Sequence, residues 1–223
     1  MDAHQEDRYP DVTAAGGLVT ALRRTAERRG RDIGLSPWAT DADEAVIDTP
    51  RGYLTVTANT ATGERSFRLR VHIPEAGWDI GATDDLGTLV DAVAAWREGV
   101  PNGELEARFG FLNLTAFTAA LEAGEPTATQ WADLLSSAYH RGLRDLLRRL
   151  HADAVLRNAF PTVTHRAVRL RVDPMHWESR QVLVRETEEG RYEVLRTGVP
   201  GADWTEVPGE DLTVRLRAAL YDG

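Results

Sequence analysis

The chain contains no cysteine, and all 26 of its basic residues are arginine, so lysine is absent as well. Without cysteine there are no disulfides, no thiolate zinc sites and no cysteine nucleophile. Without lysine there is no phosphate-loop lysine, no Schiff-base amine and no kinase-type ATP lysine. No stretch approaches the roughly 18 consecutive apolar residues that a membrane span requires. Positive charge is also in deficit: 35 acids outnumber the arginines and leave a formal net charge of -9. Such a balance argues against non-specific binding to nucleic acid or to an anionic membrane. The opening MDAHQEDRYPDV is acidic and polar, unlike a secretory or transit signal, and the expected compartment is the cytoplasm. No G-x-S-x-G elbow occurs and no G-x-G-x-x-G follows a strand. Neither a serine triad nor a dinucleotide site is therefore expected, and no cofactor is implied.

What is present is a clear pattern of α+β elements. Val12 to Gly30 reads as a helix, with Leu18, Val19, Leu22 and Ala26 on one face,. Residues 45–48, 52–58 and 66–73 alternate apolar and polar as short antiparallel strands do, with turn residues at Pro50-Arg51-Gly52 and Thr62-Gly63-Glu64,. Thr83-Asp84-Asp85 caps a helix running to Arg97,. After a linker over residues 99–110, Thr129 opens a long central helix. Its apolar face is Trp131, Leu134, Leu135, Ala138, Tyr139, Leu143, Leu146, Leu147 and Leu150,. A shorter helix over 152–159 ends before Pro161, because the residue preceding proline is pushed out of helical geometry. Strands follow at 167–172, 181–186 and 192–196, and a last helix opens at Gly209-Glu210-Asp211. Helix, antiparallel strands, helix thus occurs twice. The expectation is two similar α+β halves, residues 1–100 and 101–223.

Candidate functional residues concentrate in the second half. His165, Asp173 and His176 have the spacing of a strand-and-loop metal site, and His151-Ala152-Asp153 has the H-x-D spacing of an iron site,. The second reads better as an acid at a helix start, where it suits the dipole, and neither metal reading is adopted. Arginines dominate residues 141–171, against only Asp145 and Asp153. Arg141, Arg144, Arg148 and Arg149 form one flank of the expected long helix. Guanidinium forks suit carboxylates and phosphates, so this flank is a candidate peptide-binding surface, the alternative being a solvated helix face. Trp177, in a loop, is a candidate peptide contact beside it.

One resemblance to a family emerges. Its residues are Trp131-Ala132-Asp133-Leu134-Leu135, then Leu156-Arg157-Asn158-Ala159-Phe160-Pro161, then Val163-Thr164-His165. The pattern W-x-x-L-L, helix, L-R-x-x-F-P-x-x-S/T-H resembles a family of uncharacterised actinobacterial proteins associated with natural-product biosynthesis. The similarity runs from about Phe109 to Leu195, with Thr164 where serine is expected and with the N-terminal half outside it. Membership would imply work on a ribosomally made, modified peptide such as a lanthipeptide. The partner would be a precursor peptide or a partner biosynthetic enzyme. One role is binding or scaffolding; another is a cofactor-free lyase or cyclase, and a third is immunity to the product. A lyase that adds a thiol to a dehydroamino acid needs a general base and an enolate stabiliser. His165 with Arg166 or Arg157 would supply them.

Overall fold

Antiparallel meanders flanked by helices recur along the chain, and their residues fall into two units, Met1–Glu122 and Ala123–Gly223. The computed structural model describes residues 8–37, 44–59, 64–74, 76–176, 178–188, 190–198 and 200–222. Trp38, Trp177 and parts of the expected turns at 62–64 and 188–190 lie outside them.

In the first unit, helices α1 (Pro10–Ala15) and α2 (Leu18–Arg29) replace the single helix expected over 12–30. The break falls at Gly16 and Gly17, whose φ values of 88° and 127° suit only glycine readily,. Strands β1 (Glu44–Thr49), β2 (Gly52–Ala58), β3 (Phe67–Ile73) and β4 (Ala76–Thr83) pair in that order. Helix α3 (Leu86–Arg97) follows, N-capped by Asp85, whose carboxylate accepts from the N–H groups of Gly87 (2.7 Å) and Thr88 (3.2 Å),. The core combines Leu18, Leu22 and Ala26 of α2 and Leu89, Val90 and Val93 of α3 with alternate strand residues such as Ile47, Val56, Leu69 and Ile80. Two short helices, α4 (Asn102–Arg108) and α5 (Ala116–Glu122), occupy what reads in the sequence as linker and the start of the second half. Both belong to the first unit, so the division falls at 122/123 rather than 100/101.

The second unit opens with α6 (Pro126–Ser136) and α7 (Arg144–Ala152). The long central helix is therefore interrupted. Ser137 leaves helical geometry at φ -62°, ψ 125°, and its hydroxyl accepts the Tyr139 N–H at 3.2 Å, a local bond that competes with the helix ladder. A 3-10 turn at Arg141–Leu143 leads into α7. A second such turn, Leu156–Asn158, stands where the helix over 152–159 is expected. Five strands then pair in chain order: β5 (Phe160–Thr164), β6 (Ala167–Arg171), β7 (Gln181–Glu188), β8 (Arg191–Arg196) and β9 (Thr205–Pro208). Helix α8 (Leu212–Tyr221) closes the unit. One cluster ties these elements together: Trp131, Leu146, Leu147, Leu150, Val168, Val184, Leu212 and Leu216 are all nearly inaccessible. The two units share the order helices, meander, helix, but the first sheet has four strands and the second five.

Candidate functional site

The connection between β5 and β6 is two residues long, His165 and Arg166, with Thr164 paired to Ala167. Both turn residues are left-handed, at φ 47° and 64°. Two-residue hairpins favour this geometry because its twist matches that of the strands, but they normally place Asn-Gly or Gly-Gly there. Among the described residues these are the only non-glycines with positive φ. Holding both so costs on the order of 1–2 kcal/mol each. The hairpin is anchored below its tip: Phe160 is 2% exposed, and the Trp131 indole N–H donates to the Ala159 carbonyl at 3.1 Å.

The tip forms one wall of a groove of about 1080 Å³ within the second unit, to which Val163, His165 and Arg166 contribute. A second wall is the far end of β7, Arg185 to Glu188, and a third is Tyr139, His140, Gly142 and Leu143 from the interruption between α6 and α7. Tyr139 is 90% exposed, with its ring edge-on to His140 at 5.2 Å. Arg185 is already neutralised: its Nε donates to Glu193 at 2.7 Å, and its guanidinium lies 4.3 Å from the Trp204 ring. Arg166 has no ion-pair partner among the described residues, and neither Glu186 nor Glu188 has one. The groove thus presents one free cation, two imidazoles, two free carboxylates and the apolar side chains of Leu143 and Val163. Thr164 Oγ1 lies 3.0 Å from His165 Nδ1, a hydrogen bond across adjacent residues.

The remaining sequence candidates do not gather here. Arg157 is exposed on the 156–158 turn and borders a separate hollow of about 390 Å³ with Trp131, His151 and Asn158. The four arginines expected on one helical flank are divided by the interruption. Arg141 is exposed on the 3-10 turn. Arg144 opens α7, and its Nη2 donates to the Ser137 carbonyl at 3.3 Å, bridging the break. Arg148 is exposed, 3.5 Å from Asp145. Arg149 is half-buried, donates to the Gly209 carbonyl and lies 5.5 Å from the Tyr192 ring. Two of the four are thus committed to internal bonds, and Trp177 is outside the described residues.

Neither metal spacing survives as a ligand set. His165 and Asp173 sit beyond opposite ends of β6, and no group of three or more His, Asp or Glu residues suited to a metal occurs among the described residues. Asp153 is instead structural. Its carboxylate pairs with Arg217 and accepts from the N–H groups of Val155 (3.0 Å) and Leu156 (3.1 Å). The Arg217 bond first, then these backbone bonds, hold its pKa below the usual carboxylate range,.

Sequence reading finds His165 and Arg166 but misses Tyr139, His140, Glu186 and Glu188. The available signal was the pair Ser136-Ser137 with Gly142 shortly after, residues that weaken a helix interior. No protein-family model matches this chain, and neither any curated protein nor any solved structure does.

Proposed function

We propose that the second unit is a peptide-recognition module of a bacterial natural-product pathway, taking a segment of a ribosomal precursor peptide into the groove beside His165 and Arg166. The observation that carries this reading is the turn itself. Two residues with side chains occupy a geometry that glycine or asparagine would adopt at lower cost, at an exposed tip where packing makes no demand for them,. Retained strain of this kind points to side chains kept for contact with something else. The mixed charge of the walls suits a peptide with side chains of both signs, and Tyr139 offers an exposed aromatic surface,. The pathway assignment rests on the resemblance over residues 109–195.

The test exchanges the turn for one that relaxes it. In His165→Asn/Arg166→Gly the thermal midpoint should rise by a few degrees, about 1 kcal/mol or more. Affinity for the precursor peptide encoded beside the gene should fall at least tenfold in a fluorescence-anisotropy titration. Equal affinity in the relaxed variant would remove the turn from the site, and no binding by the wild type even at low salt would end the proposal.

The Thr164–His165 hydrogen bond favours a second reading, a cofactor-free lyase or cyclase with His165 as general base,. Arg166 rather than Arg157 would then face the developing enolate. A change in peptide mass or ring content that His165→Ala abolishes would establish that chemistry over binding alone.

A further inference from the structure

A polar cluster in the first unit, buried at Trp96 and Asn102 and reaching the surface at Glu122, has its own unmet chemistry. Arg51, in the turn between β1 and β2, reaches the end of α3. Its Nη2 donates to the carbonyls of Trp96, in the last turn of α3 and already accepting the Gly99 N–H, and of Val100, beyond the helix, each at 3.0 Å. Its guanidinium lies 4.5 Å from the centroid of the Trp96 ring. Glu122, at the end of α5, accepts the backbone N–H of Asn102 through Oε1 at 3.3 Å and Oε2 at 3.4 Å. The Arg51 Nη1 stands 3.7 Å from Glu122 Oε1, too far for a direct hydrogen bond,. Trp96 is 2% exposed and Asn102 is 7% exposed.

Four side-chain atoms of this cluster, Arg51 Nε, Trp96 Nε1, Asn102 Nδ2 and Asn102 Oδ1, are buried with no hydrogen-bond partner among the described residues. Each such atom carries the desolvation penalty of a lost hydrogen bond if it stays unmet. All four together would consume much of the narrow margin by which a domain stays folded. We infer that Arg51, Trp96 and Asn102, with the exposed Glu122 carboxylate at the mouth, hold a hydration site occupied by one or two ordered waters that complete these bonds. The donor count selects the ligand. Three of the four atoms donate and one accepts, so a water can take two N–H donors on its lone pairs. Its own hydrogens then serve Asn102 Oδ1 and the Glu122 carboxylate. An anion would meet the Glu122 charge, and a cation would meet the Arg51 guanidinium and two further N–H donors. A neutral guest that both donates and accepts fits. The bridged groups come from four segments: the 50–52 turn, the end of α3, the start of α4 and the end of α5. The water would add to the side-chain-to-backbone bonds from Arg51 and Glu122 a link between the side chains themselves.

Two measurements on the full chain decide it. A long-lived water should give a nuclear Overhauser cross-peak to the Trp96 indole proton, assigned by its loss in Trp96→Phe, and that cross-peak should vanish in Asn102→Leu. The same Asn102→Leu variant should lower the thermal midpoint by several degrees, because it strands the water and the donors the water serves. In a dry site that variant removes two unmet polar atoms and raises the midpoint instead. A raised midpoint, or an indole proton with no water cross-peak in the wild type, overturns the inference.

Discussion

His72 shows how one side chain sets a pH limit on the first sheet. Its ring stacks on Tyr53 (centroids 4.8 Å apart, planes 9° apart), its Nε2 lies 2.8 Å from Thr55 Oγ1, and it covers Gly77 on β4 so closely that a Cβ there would come within 2.4 Å of Nδ1. Burial first, then the Arg70 guanidinium, push its pKa down to about 4, with Asp79 opposing weakly. In the unfolded chain the imidazole titrates near 6.5. Between those values the unfolded state binds a proton that the folded state refuses, so stability falls as pH drops from about 6.5 to 4. The loss amounts to at most about 3 kcal/mol. His72→Gln should flatten that slope in urea unfolding at pH 4.5 and 7. An unchanged slope would mean that the ring is hydrated in the fold. Asp153 works at lower pH and through the opposite charge state. Its depressed pKa means that the stability it supplies is complete above about pH 4 and is lost as the carboxylate protonates,. Asp153→Ala should cost about 1 kcal/mol or more from the capping bonds alone, read as a lower thermal midpoint at pH 7.

At the level of elements, the strands divide by position in the sheet. All six expected strands are present, whereas β4, β5 and β9 are absent from the sequence reading, and each of these is an edge strand. The features that hide them are the ones that suit an edge. Strand β5 carries Pro161 and β9 carries Pro208, and proline within an apolar run argues against a strand. The pairing explains why both are tolerated. Thr164 and Ala167 flank a two-residue turn and form a hydrogen-bonded pair, so alternation turns the Pro161 nitrogen away from β6,. Gly209 N–H donates to Gly190 O at 2.9 Å, and the same alternation turns Pro208 away from β8. Neither proline costs a ladder bond; the exposed Pro208 removes a donor from an open edge, whereas Pro161 is buried where α6 packs on β5,. The edges of the first sheet are covered by backbone instead. Ser36 N–H donates to Val46 O and Asp48 N–H to Gly34 O along β1, while Asn113 N–H donates to Ile80 O along β4. On β4, Gly81 lets Phe111 approach to where a Cβ would sit 2.5 Å from its carbonyl oxygen. Replacing the exposed proline, Pro208→Thr, should leave the circular-dichroism spectrum unchanged but produce concentration-dependent association in sedimentation velocity. A variant that stays monomeric across that range would assign edge protection to other side chains. The long helix failed for a related local reason. Leucine periodicity continues through residues 131–150, but the Ser137 hydroxyl offers the backbone another partner, and periodicity cannot register that competition.

On the scale of the whole molecule, the charge deficit belongs almost wholly to one unit. The first holds 20 acids against 12 arginines, the second 15 against 14. Net charge therefore gives little reason to exclude an anionic or mixed-charge peptide from the second unit. The α+β class and the principal core residues were legible from periodicity, because burial of one face writes itself into the sequence at 3.6 or 2.0 residues. The groove was not, since its walls meet only when two hairpin ends and a helix break converge. Of the residues proposed for it, His165 is legible only through the family-like motif that ends in Thr164-His165, with Arg166 as its neighbour, because the β5–β6 turn depends on a strand the sequence does not announce. Arg157 was grouped with them by sequence distance alone. The second unit closes its own hydrophobic cluster from Trp131 to Leu220, so residues 123–223 expressed separately should unfold in one cooperative transition. A broad, non-cooperative melt would show that its core depends on the rest of the chain.

The taut hairpin also has a use in the search for its partner. Trypsin requires an extended segment in its cleft, and a turn held by a strand ladder does not supply one. Cleavage after Arg166 therefore reports how often the tip opens. Arg157, exposed on a turn outside any ladder, gives an internal reference in the same digest. A peptide seated in the groove should slow the cut at 166 and leave the cut at 157 unchanged. The ratio of two fragments would then rank candidate peptides without labelling any of them.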